Sequence, residues 1–181
     1  MNIRGVPLGP FPDGADPDAY DRLRRRVLWK LPLGLYIVGS RAGERRNLMT
    51  LNWAMQVSIS PKLLAVSVER SAFTHDLIAE GRCFSLSLVA RADRAAVRGF
   101  VKPAHHDPKA RTLAGMAYRD GVSGAPIPAL AIGYLDCELR DTVDAGSHSL
   151  FVGEVLDAAF AEGAEDTPVL RMEDTRMSYG G

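Results

Sequence analysis

Cysteine is nearly absent. Cys83 and Cys137 are the two in 181 residues, and neither sits at metal-ligand spacing or in a small disulfide framework. Buried free thiols in a reducing compartment are therefore expected. Charge of one sign is also missing: 22 Lys plus Arg face 22 Asp plus Glu, so no global field recruits nucleic acid or an anionic membrane. No apolar run approaches the ~20 residues that span a bilayer. The opening "MNIRGVPLGPFPDGADP" lacks the apolar stretch of a signal peptide. These absences predict a cytoplasmic protein with neither a membrane nor a nucleic-acid partner. Aromatic residues do not interleave with Arg or Lys along a strand face, as a base-stacking barrel requires. No G-x-G-x-x-G follows a strand, which argues against a Rossmann nicotinamide site. There is no persuasive nucleophile triad, and His105–His106 have no third ligand for a metal.

What is present is an ordinary globular composition, 46% hydrophobic and 24% charged, in a length that fits one domain over 1–181. Residues 1–16 are rich in Pro and Gly and read as an extended arm. "DPDAYDRLRRRVLWKL" reads as a helix, with Asp16 as cap, Pro17 in the first turn and Tyr20, Leu23, Val27 and Leu31 as a stripe. Strands follow at 33–41, 47–60, 63–70 and 83–90. A short helix ending at Gly81 precedes the last of these, and a second is expected over "ADRAAVRGFV". Residues 102–131 lack periodicity and read as a long connection. Two strands joined by an Asp-Ala-Gly turn, then "PVLRM", complete the chain. Strands this close in sequence, with few helices between them, predict a mainly β, antiparallel Greek-key barrel rather than a doubly wound sheet.

Period-two alternation gives these strands two faces. In "NLMTLNWAMQVSIS" the apolar row is Met49, Leu51, Trp53, Met55, Val57 and Ile59. The opposite row, Thr50, Asn52 and Ala54, is small as well as polar, and Ala65, Ser67, Ser85 and Ser87 repeat this on two more strands. Side chains this short admit a close neighbour, whether a covering helix, a partner subunit or a planar ligand. In "ERSAFTHDL", Ser71 or Thr74 is positioned to cap a helix whose free N–H groups favour an anion, and Arg70 precedes it.

The stretches "RNLMTLNWAMQVSISPKLLAVSVERSAFTHDLIAEGRCFSLSLV" (46–89) and "DCELRDTVDAGSHSLFVGEV" (136–155) resemble the flavin reductase-like family of FMN-binding split barrels, in its flavoredoxin-like branch. The resemblance rests on a Met-Thr strand, a Pro-Leu-Leu strand, a Ser-x-x-Thr turn and a Gly-x-His-x-Leu-Phe-x-Gly hairpin. It implies FMN, or FAD in its place, at the interface of a homodimer, with NAD(P)H as a transient co-substrate. It also implies a flavin-dependent monooxygenase as a partner that receives reduced flavin. Carried onto this sequence, Met49, Thr50, Leu51, Asn52 and Trp53 would line the ring and ribityl chain. Ser67, Arg70, Ser71 and Thr74 would take the phosphate, Ser85, Leu86 and Ser87 would lie along the same side, and His148 would meet the nicotinamide. Two departures stand out: Glu69 and Arg70 occupy positions where relatives often carry Asn, and Ser147 replaces the usual Asp before His148. The implied activity is hydride transfer from NAD(P)H to flavin, with a flavin-binding electron carrier as the alternative. Such chemistry asks the protein mainly to bind and orient.

Overall fold

The computed structural model describes residues 9–175 and 177; the first eight residues of the expected arm and the tail 178–181 lie outside the described residues. The first helix, α1 (Pro17–Leu28), starts as its sequence dictates. Asp16 accepts the Ala19 N–H at 2.7 Å, and Pro17 occupies the first turn, where its missing N–H costs nothing. Its apolar stripe does not find a core. No residue of α1 is buried, and Leu23, Val27 and Leu31 beyond the helix all stand exposed.

The strands are β1 (Tyr36–Ala42), β2 (Arg45–Leu51), β3 (Ala54–Ser58) and β4 (Leu63–Glu69), followed by helix α2 (Phe73–Gly81) and β5 (Cys83–Val89). Four short strands come next: β6 (His106–Asp107), β7 (Thr112–Leu113), β8 (Met116–Asp120) and β9 (Pro126–Pro128). The long hairpin β10 (Ala131–Ala145) and β11 (His148–Phe160) completes the set. Seven strands form one antiparallel sheet in the order β2-β1-β5-β10-β11-β4-β3. The edge strands β2 and β3 are therefore neighbours in sequence, joined by Asn52 and Trp53 alone. Laid flat, seven strands would hold their edges about 29 Å apart, whereas the Leu51–Ala54 step spans at most about 11 Å. The sheet must curl until its edges meet in a seam, and the Ser67 N–H donates to the Trp53 carbonyl at 2.9 Å, extending the β3–β4 ladder into the two-residue connection. The result is a split barrel. Its interior holds Val38, Leu51, Val66, Phe84, Leu86 and Phe151, with α2 closing one end through Ile78.

The segment 47–60 is thus two strands. The irregular step at 52–53 shifts the alternation: Met49 and Leu51 pack inward as the pattern predicts, but Ala54 then takes the inward place. Met55, Val57 and Ile59 are consequently exposed on the β3 edge rather than in the core. At α2 the expected side-chain cap is absent. Ala72 is the N-cap residue, and the left-handed residue past the helix is Arg82, not Gly81. Gly81 serves packing instead, since a Cβ there would lie 1.6 Å from the Arg41 carbonyl oxygen.

The connection after β5 also departs from expectation. Residues 91–101 make two 3-10 turns rather than an α-helix, and residues 106–128 build the second sheet, β6-β7-β8-β9. This insertion lies on the outer face of β1, β2 and β5, where Ile37, Leu48, Val89, Val97, Phe100 and Leu113 form a second core. Gly39 allows the approach, because a Cβ at that position would sit 1.9 Å from the Pro126 carbonyl oxygen. "PVLRM" contributes single bridges, Val169 to Ala90 and Arg171 to Gly34, rather than a strand.

Candidate flavin and nicotinamide site

Small polar side chains on the outer row of β2 and β5 have a specific use: they dock the insertion. Thr50 Oγ1 donates to the Val97 carbonyl at 2.5 Å, and Ser85 Oγ donates to the Pro126 carbonyl at 2.7 Å. Both residues are buried, as is Ser87. The expectation that Thr50 and Ser85 face a planar ligand is therefore corrected, whereas Ser87 Oγ is buried without a partner among the described residues. Of the neighbours open to such a row, the chain's own residues 96–128 cover it. Met49, Leu51 and Leu86 belong to the barrel interior, with Leu51 and Leu86 buried there.

Thr74 is displaced from its expected role in the same way. It is wholly buried on α2, and its Oγ1 accepts the Asn47 Nδ2–H at 2.8 Å, while Asn47 Oδ1 accepts the Ala104 N–H at 2.8 Å. This buried amide ties β2, α2 and the insertion together, so the Thr74 hydroxyl is committed within the protein.

The remaining residues converge on the seam. Asn52 is 6% exposed, and its Nδ2–H has no acceptor among the described residues. A buried donor without a partner costs about 1–3 kcal/mol, so its presence points to a group that arrives from outside. Asn52 lines a cleft of about 1050 Å³ together with Tyr36, Lys30, Arg91, Arg171 and Met172. These residues come from five separated stretches of chain, and no local pattern links them; sequence reading did not identify Tyr36, Lys30, Arg91 or Arg171. Trp53, the next residue, is half-buried and packs against His148 with ring centroids 4.9 Å apart and planes tilted by 57°. Beside it lie half-buried Ser67 and exposed Ser71.

The two departures from the family pattern acquire structural meaning here. Arg70 reaches the tip of the β10–β11 hairpin: its guanidinium meets Asp144 at 2.5 Å, and its N–H donates to the Ser147 carbonyl at 3.0 Å. The Asp144 carboxyl, which accepts the Gly146 N–H and faces Arg70, lies below its ordinary pKa. Ser147 Oγ lies 2.9 Å from His148 Nδ1, so a hydroxyl orients the imidazole. Burial lowers the His148 pKa, partly opposed by Glu69 across the strand pair. The shift favours the neutral ring, which presents a hydrogen-bonding surface.

The flavin reductase-like domain model matches residues 28–180 of this chain. The chain belongs to the flavin reductase-like family. Its relatives include the NADH-dependent FAD reductase of Streptomyces globisporus, 32% identical over 78% of this chain and 78% of that protein. The high molecular weight rubredoxin of Moorella thermoacetica is 35% identical over 74% of this chain. There the chain spans only 58% of the relative's length, and it spans 22% of a diflavin flavoprotein from Nostoc. Among solved structures, an NADH:FAD oxidoreductase of Streptomyces globisporus superposes with a TM-score of 0.71 at 26% identity, covering 96% of each chain. An FMN-binding protein of Thermus thermophilus superposes with a TM-score of 0.69 at 26% identity, covering 91% of this chain and 90% of that one. The flavin reductase-like fold accounts for both the curled seven-stranded sheet and the strand order.

Proposed function

We propose that this chain binds a flavin, FMN or FAD, at the Asn52–Trp53 seam and acts there as an NAD(P)H-dependent flavin reductase. The observation that carries the reading is the buried Asn52 amide, an unused donor at the mouth of a cleft beside the Trp53–His148 pair. Donors of this kind fit the electron-rich edge of an isoalloxazine. When bound, the flavin supplies the hydride acceptor and carries the redox chemistry itself. The chain's own contribution is placement. Asn52 fixes an edge, Trp53 offers an aromatic surface with the His148 imidazole packed against it, and Ser67, Ser71 and Arg70 offer hydroxyls and a guanidinium to the phosphate. Arg70 would exchange or share its exposed Asp144 partner, a change of little cost for a solvent-screened pair.

The reading includes a homodimer. Met55, Val57 and Ile59 on the β3 edge and Leu156 on β11 leave an apolar edge exposed, and an unpaired apolar edge strand invites association. It also includes delivery of reduced flavin to a flavin-dependent monooxygenase. A second reading, a flavin-binding electron-transfer module, is supported by relatives in which the matching stretch is a fraction of a longer chain.

Steady-state oxidation of NADH and NADPH with added FMN or FAD tests the reductase, and turnover with either nucleotide is expected. Intact flavin binding without turnover refutes the reductase and leaves the electron-transfer module. Arg70→Ala should weaken FMN more than riboflavin, and equal loss for both would remove the phosphate from this turn.

A further inference from the structure

The two halves of the seven-stranded sheet are finished differently on the outside. Residues 91–128 pack over β1, β2 and β5 and form the second core there. On the other half an outer row runs Met55–Ala65–Val152 directly across β3, β4 and β11, and its rim stays open, with Met55 63% exposed. Val57 and Ile59 continue this apolar surface along the β3 edge and Leu156 along β11, all of them exposed.

Helix α1 carries a second open surface. A helix of 12 residues is marginal in water by itself, yet no residue of α1 is buried. The preceding arm covers one flank, where Phe11 packs edge-on against Tyr20 and lies under the Arg24 guanidinium. Leu23, Val27 and Leu28, with Leu31 in the following turn, are left more than half exposed. These two surfaces do not cover each other within one chain, since both are open there. Together they present on the order of 800 Å² of largely apolar surface per copy, what each partner buries in a stable interface. Their charges are complementary as well. Arg22 and Arg26, one turn apart beside the α1 stripe, form no ion pair among the described residues, and neither does Glu69 in the outer row of β4.

We propose that α1 is an exchanged arm: the helix of each chain lies on the outer β3–β4–β11 face of a second copy, and a two-fold axis makes the contact twice. This rests on the homodimer reading above and names the element that forms the contact. It also bears on the site. The helix runs directly into Trp29, Lys30, Leu31 and Pro32, which line the Asn52 cleft, so anchoring α1 on the partner holds one wall of each cleft from the other chain.

Val27→Cys and Met55→Cys are prepared separately, one with a size tag, mixed to allow subunit exchange, and treated with a short bismaleimide. The native Cys83 and Cys137 are buried and do not compete. A covalent dimer joining the two variants is expected. Val27→Asp should raise the dimer dissociation constant in sedimentation about 100-fold, the effect of a charge forced into an apolar contact made twice. A cooperative thermal melt checks that this variant is folded, as expected for a residue outside the core. Cross-linking of Met55→Cys to itself, with none to Val27→Cys, overturns the exchange and leaves sheet faces packed directly together. Cross-linking within one chain of the double variant overturns it in favour of a helix folded back on its own barrel. A wild type that sediments as a monomer overturns both the exchange and the homodimer reading, whereas a dimer unmoved by Val27→Asp overturns the exchange alone.

Discussion

Asn52→Ala separates ligand binding from stability with opposite signs. In the ligand-free protein the Nδ2–H is buried and unpaired, a state that costs about 1–3 kcal/mol. Truncation removes that cost and gives up about 1 kcal/mol of packing for a small side chain. The variant should therefore be as stable as the wild type or up to about 2 kcal/mol more stable. Each kcal/mol moves the melting temperature of a chain this long by about 2–4 °C. The same change removes one hydrogen bond to bound flavin, about 1 kcal/mol, or roughly a fivefold rise in Kd. Thermal melts without ligand and fluorescence titration with FMN read the two quantities independently. A lower melting temperature combined with an unchanged Kd would show that the amide serves the fold, and the placement of the flavin edge would fail with it.

Thr74→Val should cost about 1–3 kcal/mol in urea denaturation, because it strands the buried Asn47 Nδ2–H. It should leave the preference for FMN over riboflavin unchanged, and a loss confined to FMN would return the hydroxyl to the phosphate. Met55→Asp places a charge on the exposed β3 edge, and sedimentation should show dimers giving way to folded monomers; an undisturbed dimer would move the interface elsewhere. Asp120 provides a pH signature. Burial alone would raise its pKa, but Arg46 at 2.9 Å and Arg111 at 3.2 Å outweigh burial and hold it below the ordinary value. Its contribution to stability is thus complete above the unfolded pKa, about 4, and is lost as pH falls through the lower folded value. The melting-temperature gap between wild type and Asp120→Asn should begin to narrow below about pH 4 and go on narrowing as pH falls further, and a gap independent of pH in that range would contradict the assignment.

The barrel was legible because alternation is local. Leu64, Val66 and Val68, or Phe84 and Leu86, declare an inward row without reference to anything distant, and the structure places them there. Alternation says nothing, however, about what covers the other row. Thr50 and Ser85 are as well suited to docking a carbonyl as to admitting a ligand, and their partners lie 47 and 41 residues away. The same limit hid the seam. Nothing in "LNWA" states that its two ends belong to opposite edges of a sheet, so the register slip that exposes Met55 and Val57 was invisible. Trp53, Ser67, Arg70 and His148 were singled out as candidate site residues by resemblance, and the structure brings Trp53 against His148 and Arg70 against the same hairpin. The cleft cations were not, since Lys30, Arg91 and Arg171 meet only through the fold.

The strand order has a consequence for biosynthesis. Hairpins β1–β2 and β3–β4 emerge first and consecutively, yet they occupy opposite ends of the sheet, held apart until β5 and the β10–β11 hairpin fill the gap. A nascent chain that has cleared the ribosome only to residue 130 owns the β3–β4 hairpin, with Ser67 bonded to Trp53, but lacks the His148 that packs on Trp53 and the Asp144 and Ser147 that hold Arg70. The contacts around Trp53 and Arg70 are therefore completed last, when the β10–β11 hairpin joins the sheet.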